Sequence, residues 1–255
     1  MITLASDFGT PYPAAMKGVV LRQCDARLLD IAHDFPRQDV RAAAFWLRET
    51  LPEFPPATHL VVVDPGVGTD RAAIVVEAGD HRIVAPDNGV ALPAAREIAA
   101  RADGDTQLRF FEIEYDDDTT ASNTFHGRDV FAPAAARVHE AETVADADRV
   151  LPTDEWVDLA FPEPEIRDDG ATGEVLVVDD FGNAITNVPG RVLEGLDSVT
   201  VNGETAPVRD AYAEMDAGER LVTVGSHGNV EFAVNRGRGD EAFDLAVGDD
   251  VSLGW

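Results

Sequence analysis

His59-Leu60-Val61-Val62-Val63-Asp64-Pro65-Gly66-Val67-Gly68-Thr69-Asp70-Arg71 reads as a buried strand that stops on a charged loop. Leu60 to Val63 form a continuous, largely β-branched apolar run, the pattern of a strand covered on both faces and so of a parallel sheet. Pro65 and Gly66 end the run abruptly. Asp64 is thereby held at the strand's carboxyl end, with Arg71 seven residues further on across a glycine-rich loop. In open α/β sheets, ligands bind in the crevice beyond the carboxyl ends of the strands. A carboxylate and a guanidinium brought there together are a candidate site.

Strand and helix patterns alternate on both sides of this stretch. Ile2 to Ala5 predict a strand running into Ser6-Asp7-Phe8-Gly9-Thr10, and Pro13 opens a helix carrying Met16, Val19, Val20 and Cys24. Leu28 to Ile31 predict a second strand, and residues 39–51 a second helix. Further strands are expected at Ala73 to Glu77 and Arg82 to Ala85, then a turn or helix entry at Pro86-Asp87-Asn88-Gly89 and a helix over 91–102. A strand from Phe110 to Tyr115 follows, and Ser122 to Asp129 lead into a helix through Val138. This alternation predicts an α/β domain over residues 1–162, its mostly parallel sheet covered on both faces. Residues 163–172, in a stretch rich in proline and acid, read as a linker. Short strands dominate from Gly173 to the end, with Asn202-Gly203 as a hairpin signal, so residues 173–255 read as a smaller β-barrel or sandwich.

Composition speaks to surroundings more than to activity. The 255 residues carry 48 acids against 20 bases, a formal charge of −28. Such a surface repels nucleic-acid phosphates and anionic membranes. It also repels itself, a cost that concentrated salt screens, so a halophile's surface is expected. Asp116-Asp117-Asp118 and Asp168-Asp169 read as solvated. Lys17 is the only lysine, and Cys24 the only cysteine, which excludes an intrachain disulfide or a cysteine cluster for zinc. No apolar run reaches the length of a membrane span and no secretory pattern opens the chain, so a soluble, cytoplasmic protein is expected.

Several motifs fail on inspection. Asp-Phe-Gly occurs at 7–9 and 180–182, and His-Gly-Arg-Asp at 126–129, but the order and the missing lysine and glycine loop exclude a protein kinase. Gly66-Val67-Gly68 lacks the Gly-Lys-Ser/Thr of a phosphate loop. The six histidines lack metal-ligand spacing, and no Gly-x-Ser-x-Gly elbow appears. Asp7, Asp64, Asp87 and Asp179 each follow an apolar strand or run. Any one of them could simply end a strand and cap a helix. All four together, with Arg71 and His126 on similar loops, favour a polar pocket.

Six segments carry a resemblance to a known family: Ser6 to Thr10, Val63 to Arg71, Ala85 to Gly89, Thr124 to Asp129, Asp179 to Asn187 and Ala233 to Gly237. In order, over nearly the whole chain, they resemble the S-adenosyl-L-methionine (SAM) hydrolases, or SAM hydroxide adenosyltransferases, relatives of the SAM-dependent fluorinase and chlorinase enzymes. The resemblance implies an α/β amino-terminal domain, a carboxyl-terminal β-barrel, and a homotrimer whose sites lie between one subunit's first domain and its neighbour's second. It implies hydrolysis of SAM to adenosine and L-methionine, with no metal or other cofactor. Asp64, Arg71 and His126 correspond to the water-activating triad and Asp7 to the ribose-binding aspartate. Asp179, or Asp180 beside it, corresponds to the partner of the methionine ammonium, Asn183 to an adenine contact and Ser226 to a serine near the methionine moiety. Phe125 and Phe181 are candidates to pack on the adenine face, with core packing as the alternative. Halide transfer to SAM, or a non-catalytic SAM- or adenosine-binding regulator, are the competing functions. The retained aspartate and histidine of the triad argue against both.

Overall fold

The computed structural model describes residues 1–102, 106–115, 122 and 124–255. The acidic run 116–118 and Asn123 lie outside the described residues. The chain divides into two compact units, Met1–Ala160 and Phe161–Trp255.

The first unit alternates β1 (Ile2–Ser6), α1 (Tyr12–Leu21), β2 (Leu28–Ala32), α2 (Val40–Thr50) and β3 (Thr58–Val62). It continues with β4 (Ala73–Ala78), β5 (His81–Pro86), α3 (Leu92–Arg101), β6 (Arg109–Ile113), α4 (Ala132–Glu140) and β7 (Val150–Pro152). These strands form one sheet in the order β2-β1-β3-β5-β4-β6-β7. β2, β1, β3 and β5 are mutually parallel, as expected, whereas β4, β6 and β7 pair antiparallel along the far side. The mixed edge has a local cause: Ala78 pairs directly with His81 across Gly79-Asp80, too short a connection for the crossover a parallel pair needs.

The period of two along the strands sorts the core into two faces. Ile2, Leu4, Leu60, Val62, Val75 and Val84 pack with Met16 and Val20 of α1 and with the alanine-rich flank of α4. The alternate residues Val61, Val63, Ile74 and Ile83 are equally buried, while α2 packs on α3. Every residue of β3 is buried, which accounts for its unbroken apolar run. α2 starts where the Asp39 carboxylate accepts the Ala42 N–H at 2.8 Å, a side-chain N-cap.

The second unit is built from β8 (Glu165–Arg167), β9 (Gly170–Val178), β10 (Ala184–Pro189), β11 (Ser198–Val201), β12 (Glu204–Pro207), β13 (Arg220–Val224), β14 (Asn229–Val234), α5 (Gly239–Phe243) and β15 (Asp250–Gly254). The sheet order is β12-β11-β15-β9-β10-β14-β13, with β8 on β9, and a bridge between Val208 and Val222 joins its two ends into a nearly closed barrel. Val175, Val188, Val199, Val222, Phe232 and Val251 fill it. Asn202 and Gly203 take φ of 48° and 90°, both left-handed as the β11–β12 hairpin requires. The stretch 163–172, expected as linker, instead holds β8 and the start of β9, paired Glu165 to Thr172. Pro162 and Pro164 precede this strand rather than interrupt it, and Asp168-Asp169 make its turn. Among the described residues, no helix is long and apolar enough to cross a membrane.

Candidate active site

The strand order locates the site. The chain leaves β1 to build β2 on one side and β3 on the other, so the topological switch point lies between the carboxyl ends of β1 and β3. Ser6 pairs with Val62, which puts Asp7 and Asp64 just past neighbouring strand ends. His33 follows β2 and Asp87 follows β5 in the same row.

Asp64 and Arg71 meet there as a two-pronged ion pair. Arg71 Nε donates to Asp64 Oδ1 at 3.0 Å and Nη2 to Oδ2 at 2.6 Å. Their side chains are only 9% and 3% exposed, so the pair is largely removed from water. Nη1 donates to the Ala72 carbonyl at 2.6 Å, and Nη2 lies 3.3 Å from His126 Nδ1. The guanidinium carbon also stands 5.1 Å from the centre of the Phe131 ring, whose face favours a cation. Residues 64, 71 and 126 of the expected triad thus form one buried cluster.

His126 is aimed by a π-type turn, Gly127–Phe131, that runs into α4. Such one-turn irregularities re-direct a helix start. Here the Arg128 and Asp129 N–H groups both reach the Phe125 carbonyl, at 3.1 and 3.2 Å. Gly127 lies so close to its neighbours that a Cβ would sit 2.8 Å from Met16 Sδ and 3.0 Å from a Phe8 ring carbon. Only glycine lets the turn approach α1 this closely.

Two further residues hold the cluster that the motifs did not single out. The Tyr115 hydroxyl donates to the Arg71 carbonyl at 2.9 Å, and its ring meets His126 edge-on at 5.6 Å. Asn88 Nδ2 donates to the carbonyl of Val63, immediately before Asp64, at 2.9 Å. The turn motif containing Asn88 was visible in the sequence; nothing in the spacing pointed Tyr115 at residue 71. Asp87 accepts the Val157 N–H at 2.8 Å. Burial raises its carboxyl above the ordinary range, against the lowering effect of that bond and of Arg71.

Asp7 is buried, and its Oδ2 accepts the N–H of Gln38, itself in a left-handed conformation, at 2.7 Å. Among the described residues its Oδ1 takes no hydrogen bond. Phe125 packs edge-on against Phe8 and Tyr12, at 5.8 and 5.3 Å between ring centres, in an aromatic cluster beside that loop.

The remaining candidates belong to the second unit. Asp179 opens the turn between β9 and β10, its Oδ1 accepting the N–H groups of Phe181 and Asn183 at 3.0 and 2.8 Å. Asn183 Nδ2 donates to Asp179 Oδ2 at 3.0 Å, so these two side chains brace each other. Phe181 is 78% exposed, which excludes core packing for that ring. Ser226 is exposed on the turn between β13 and β14.

A cavity of about 300 Å³ lies at the opposite, amino-terminal ends of β1, β3 and β5, lined by Thr58, Arg82 and His139 among others. Arg82 is already bonded there to the carbonyls of Val138, Ala141 and Glu142, and the site described above lies at the other end of the strands. Among the described residues, no three His, Cys, Asp or Glu side chains gather in a way that could hold a metal ion.

Fold and cluster define an α/β-plus-barrel protein with a buried carboxylate, guanidinium and imidazole at the switch point of its sheet. The chain belongs to the SAM hydroxide adenosyltransferase family: the family's N-terminal domain pattern matches residues 2–148 and its C-terminal domain pattern residues 173–252. It is 39% identical to an (R)-S-adenosyl-L-methionine hydrolase of Salinispora tropica, over 99% of this chain and 97% of that one. A hydrolase of the same name from Thermus thermophilus is 38% identical, over 97% of each. Among solved structures, an uncharacterized conserved protein from Thermotoga maritima superposes with a TM-score of 0.83 at 33% identity, covering 100% of both chains. A conserved hypothetical protein from Thermus thermophilus does so at 0.76 and 36%, over 99% and 98%.

Proposed function

We propose that this chain hydrolyses SAM to adenosine and L-methionine by attack of an activated water on ribose C5′. The observation that carries the reading is the buried Asp64–Arg71–His126 cluster at the switch point of a chain of this family.

SAM already contains its leaving group, because the sulfonium activates C5′ for displacement. What the protein has to supply is a nucleophile. Water is weak, while hydroxide is strong but scarce and heavily hydrated, so a site that favours hydroxide and sheds its shell provides much of the rate. The positive guanidinium of Arg71 lowers the cost of forming hydroxide beside it. Asp64 fixes that guanidinium and accepts a hydrogen bond from the water. His126 relays the departing proton; the 3.3 Å contact with Arg71 is long for a hydrogen bond and yields readily. As the C5′–O bond forms, the C5′–S bond breaks and its electron pair remains on the sulfur of methionine.

The other residues position the substrate. Asp7 offers Oδ1 to the ribose diol, whose two hydroxyls are both donors. Asp179 pairs with the methionine ammonium, Asn183 and the rings of Phe125 and Phe181 take the adenine, and Ser226 lies by the methionine end. Asp7 and Phe125 lie with the Asp64–Arg71–His126 cluster in the first unit and Asp179, Phe181, Asn183 and Ser226 in the second, and the two sets meet across subunits of a homotrimer. The reaction consumes only SAM and water, uses no metal or other cofactor, and takes place in the cytoplasm.

Incubation with SAM in concentrated KCl and heavy-oxygen water tests the reading. The expected product is adenosine carrying the label at the 5′ oxygen. Chlorinated nucleoside would instead mark a halide transferase, and tight binding of SAM without turnover a regulator.

A further inference from the structure

Beside the proposed ribose site, four polar side chains run in a row from the surface to a buried strand end. Lys17 Nζ, in the only lysine of the sequence, donates to Asp30 Oδ2 at 2.5 Å. Asp30 Oδ1 faces His33 Nε2 at 3.0 Å, and His33 Nδ1 faces Ser6 Oγ at 2.8 Å. Lys17 and Asp30 are partly in water, His33 is largely covered, and Ser6 is fully buried. A carboxylate can only accept, so the His33 nitrogen facing Asp30 carries a proton. With the ring proton on Nε2, Nδ1 is left to accept from the Ser6 hydroxyl.

His33 brackets Asp7. Its ring holds Ser6, the residue before, while its carbonyl accepts the Gly9 N–H, two residues after, at 2.6 Å. This alignment depends on an irregularity between β1 and β2. Leu4 pairs with Asp30 but Ala5 with Ala32, so the register slips by one residue and Ser6 comes level with His33 rather than Ala32. Such a slip re-aims side chains at the end of a strand. The set is not a serine nucleophile with its base, because Ser6 is sealed from solvent and substrate alike.

We propose that His33, steadied by Asp30 and Lys17, is a positioning residue that holds the Asp7 carboxylate in place for the nucleoside's ribose diol. The proposal rests on the reading of Asp7 as the ribose ligand. His33→Ala removes both ring contacts while leaving the backbone bond to Gly9. At about 1 kcal/mol per lost bond, it is expected to raise KM for SAM and the dissociation constant for adenosine about fivefold or more, with kcat little changed. His33→Asn, whose amide reaches the place of Nδ1 and keeps a partner for Ser6, recovers most of that loss. Lys17→Met, at a partly exposed position that folding tolerates, raises both constants by a smaller factor.

Asp7→Ala separates the two levels of inference. If it leaves adenosine binding intact, the ribose role of Asp7 is lost and this proposal with it. If it weakens binding while His33→Ala and Lys17→Met leave KM and adenosine affinity at their parental values, Asp7 stands and the positioning role falls. A loss of kcat alone in the His33 variants, or an Asn variant no better than Ala, also overturns it.

Discussion

Arg71→Lys keeps the positive charge and removes the fork, and so separates electrostatics from geometry at the centre of the site. Arg71 makes two bonds to Asp64, at 3.0 and 2.6 Å, one to the Ala72 carbonyl at 2.6 Å, and approaches His126 at 3.3 Å. One ammonium nitrogen cannot span both carboxylate oxygens and also reach the imidazole. At least one charge-assisted bond is lost, worth about 1.5–3 kcal/mol in a site this buried, and the His126 contact goes with it. If the fork sets the geometry in which water is activated, that loss falls on the transition state, and kcat/KM drops about 10- to 150-fold, nearly all of it in kcat. Adenosine release, followed by chromatography at limiting and saturating SAM, measures both constants, and circular dichroism confirms that the variant is folded. Arg71→Met, which also removes the charge, falls further. A lysine variant within about threefold of the parent would refute the reasoning, because charge alone would then suffice. An unchanged kcat with a raised KM would move Arg71 from preparing the nucleophile to binding the substrate.

Tyr115→Phe deletes the bond to the Arg71 carbonyl but keeps the ring against His126. Stability should fall by about 1 kcal/mol in denaturant titration and kcat by a small factor at constant KM; a shift in KM alone would contradict a role in holding Arg71. The buried pair of His59 and His81, bonded Nε2 to Nδ1 at 2.9 Å, makes stability sensitive to acid. Burial first, and the neighbouring His81 second, push His59 down to about 3. The unfolded chain therefore binds a proton near pH 6.5 that the folded chain refuses. This contribution to stability is complete above that pH and is lost as pH falls from there toward 3, by up to about 1.4 kcal/mol per unit. His59→Gln should flatten that limb of the stability profile, and an unaltered slope would show that other groups govern it. The formal charge of −28 predicts a thermal midpoint that climbs with KCl, as the screening length shrinks from about 10 Å at 0.1 M to about 3 Å at 1 M. A midpoint indifferent to salt would remove the halophilic reading.

The legibility of each feature followed the range of the interaction behind it. β3 was readable because burial on both faces forces an apolar run and proline ends it, and Asp64 with Arg71 because they stand only seven positions apart across one loop. The β11–β12 hairpin was readable because Asn202-Gly203 tolerates the left-handed turn locally. His126 is different: its loop position suggested a polar pocket, but its place beside Arg71 depends on a helix packed 55 residues away in the chain, and the motif resemblance was what joined the two. The contacts of Tyr115, Asn88 and His33 had no local signature, since an ordinary tyrosine, turn asparagine or loop histidine has the same sequence appearance in any role. The linker reading of 163–172 failed because composition registers prolines and acids but not whether an edge strand finds a partner.

By itself the sequence determined the class of fold, the strand ends that carry the acids and the family, because these depend on periodicity, turn chemistry and ordered motifs a few residues long. Only the tertiary structure decided which strands are neighbours, which way β4 runs, and that a carboxylate, a guanidinium and an imidazole share one buried cluster. Those outcomes are set by packing between segments far apart in the chain, where each choice depends on all the others.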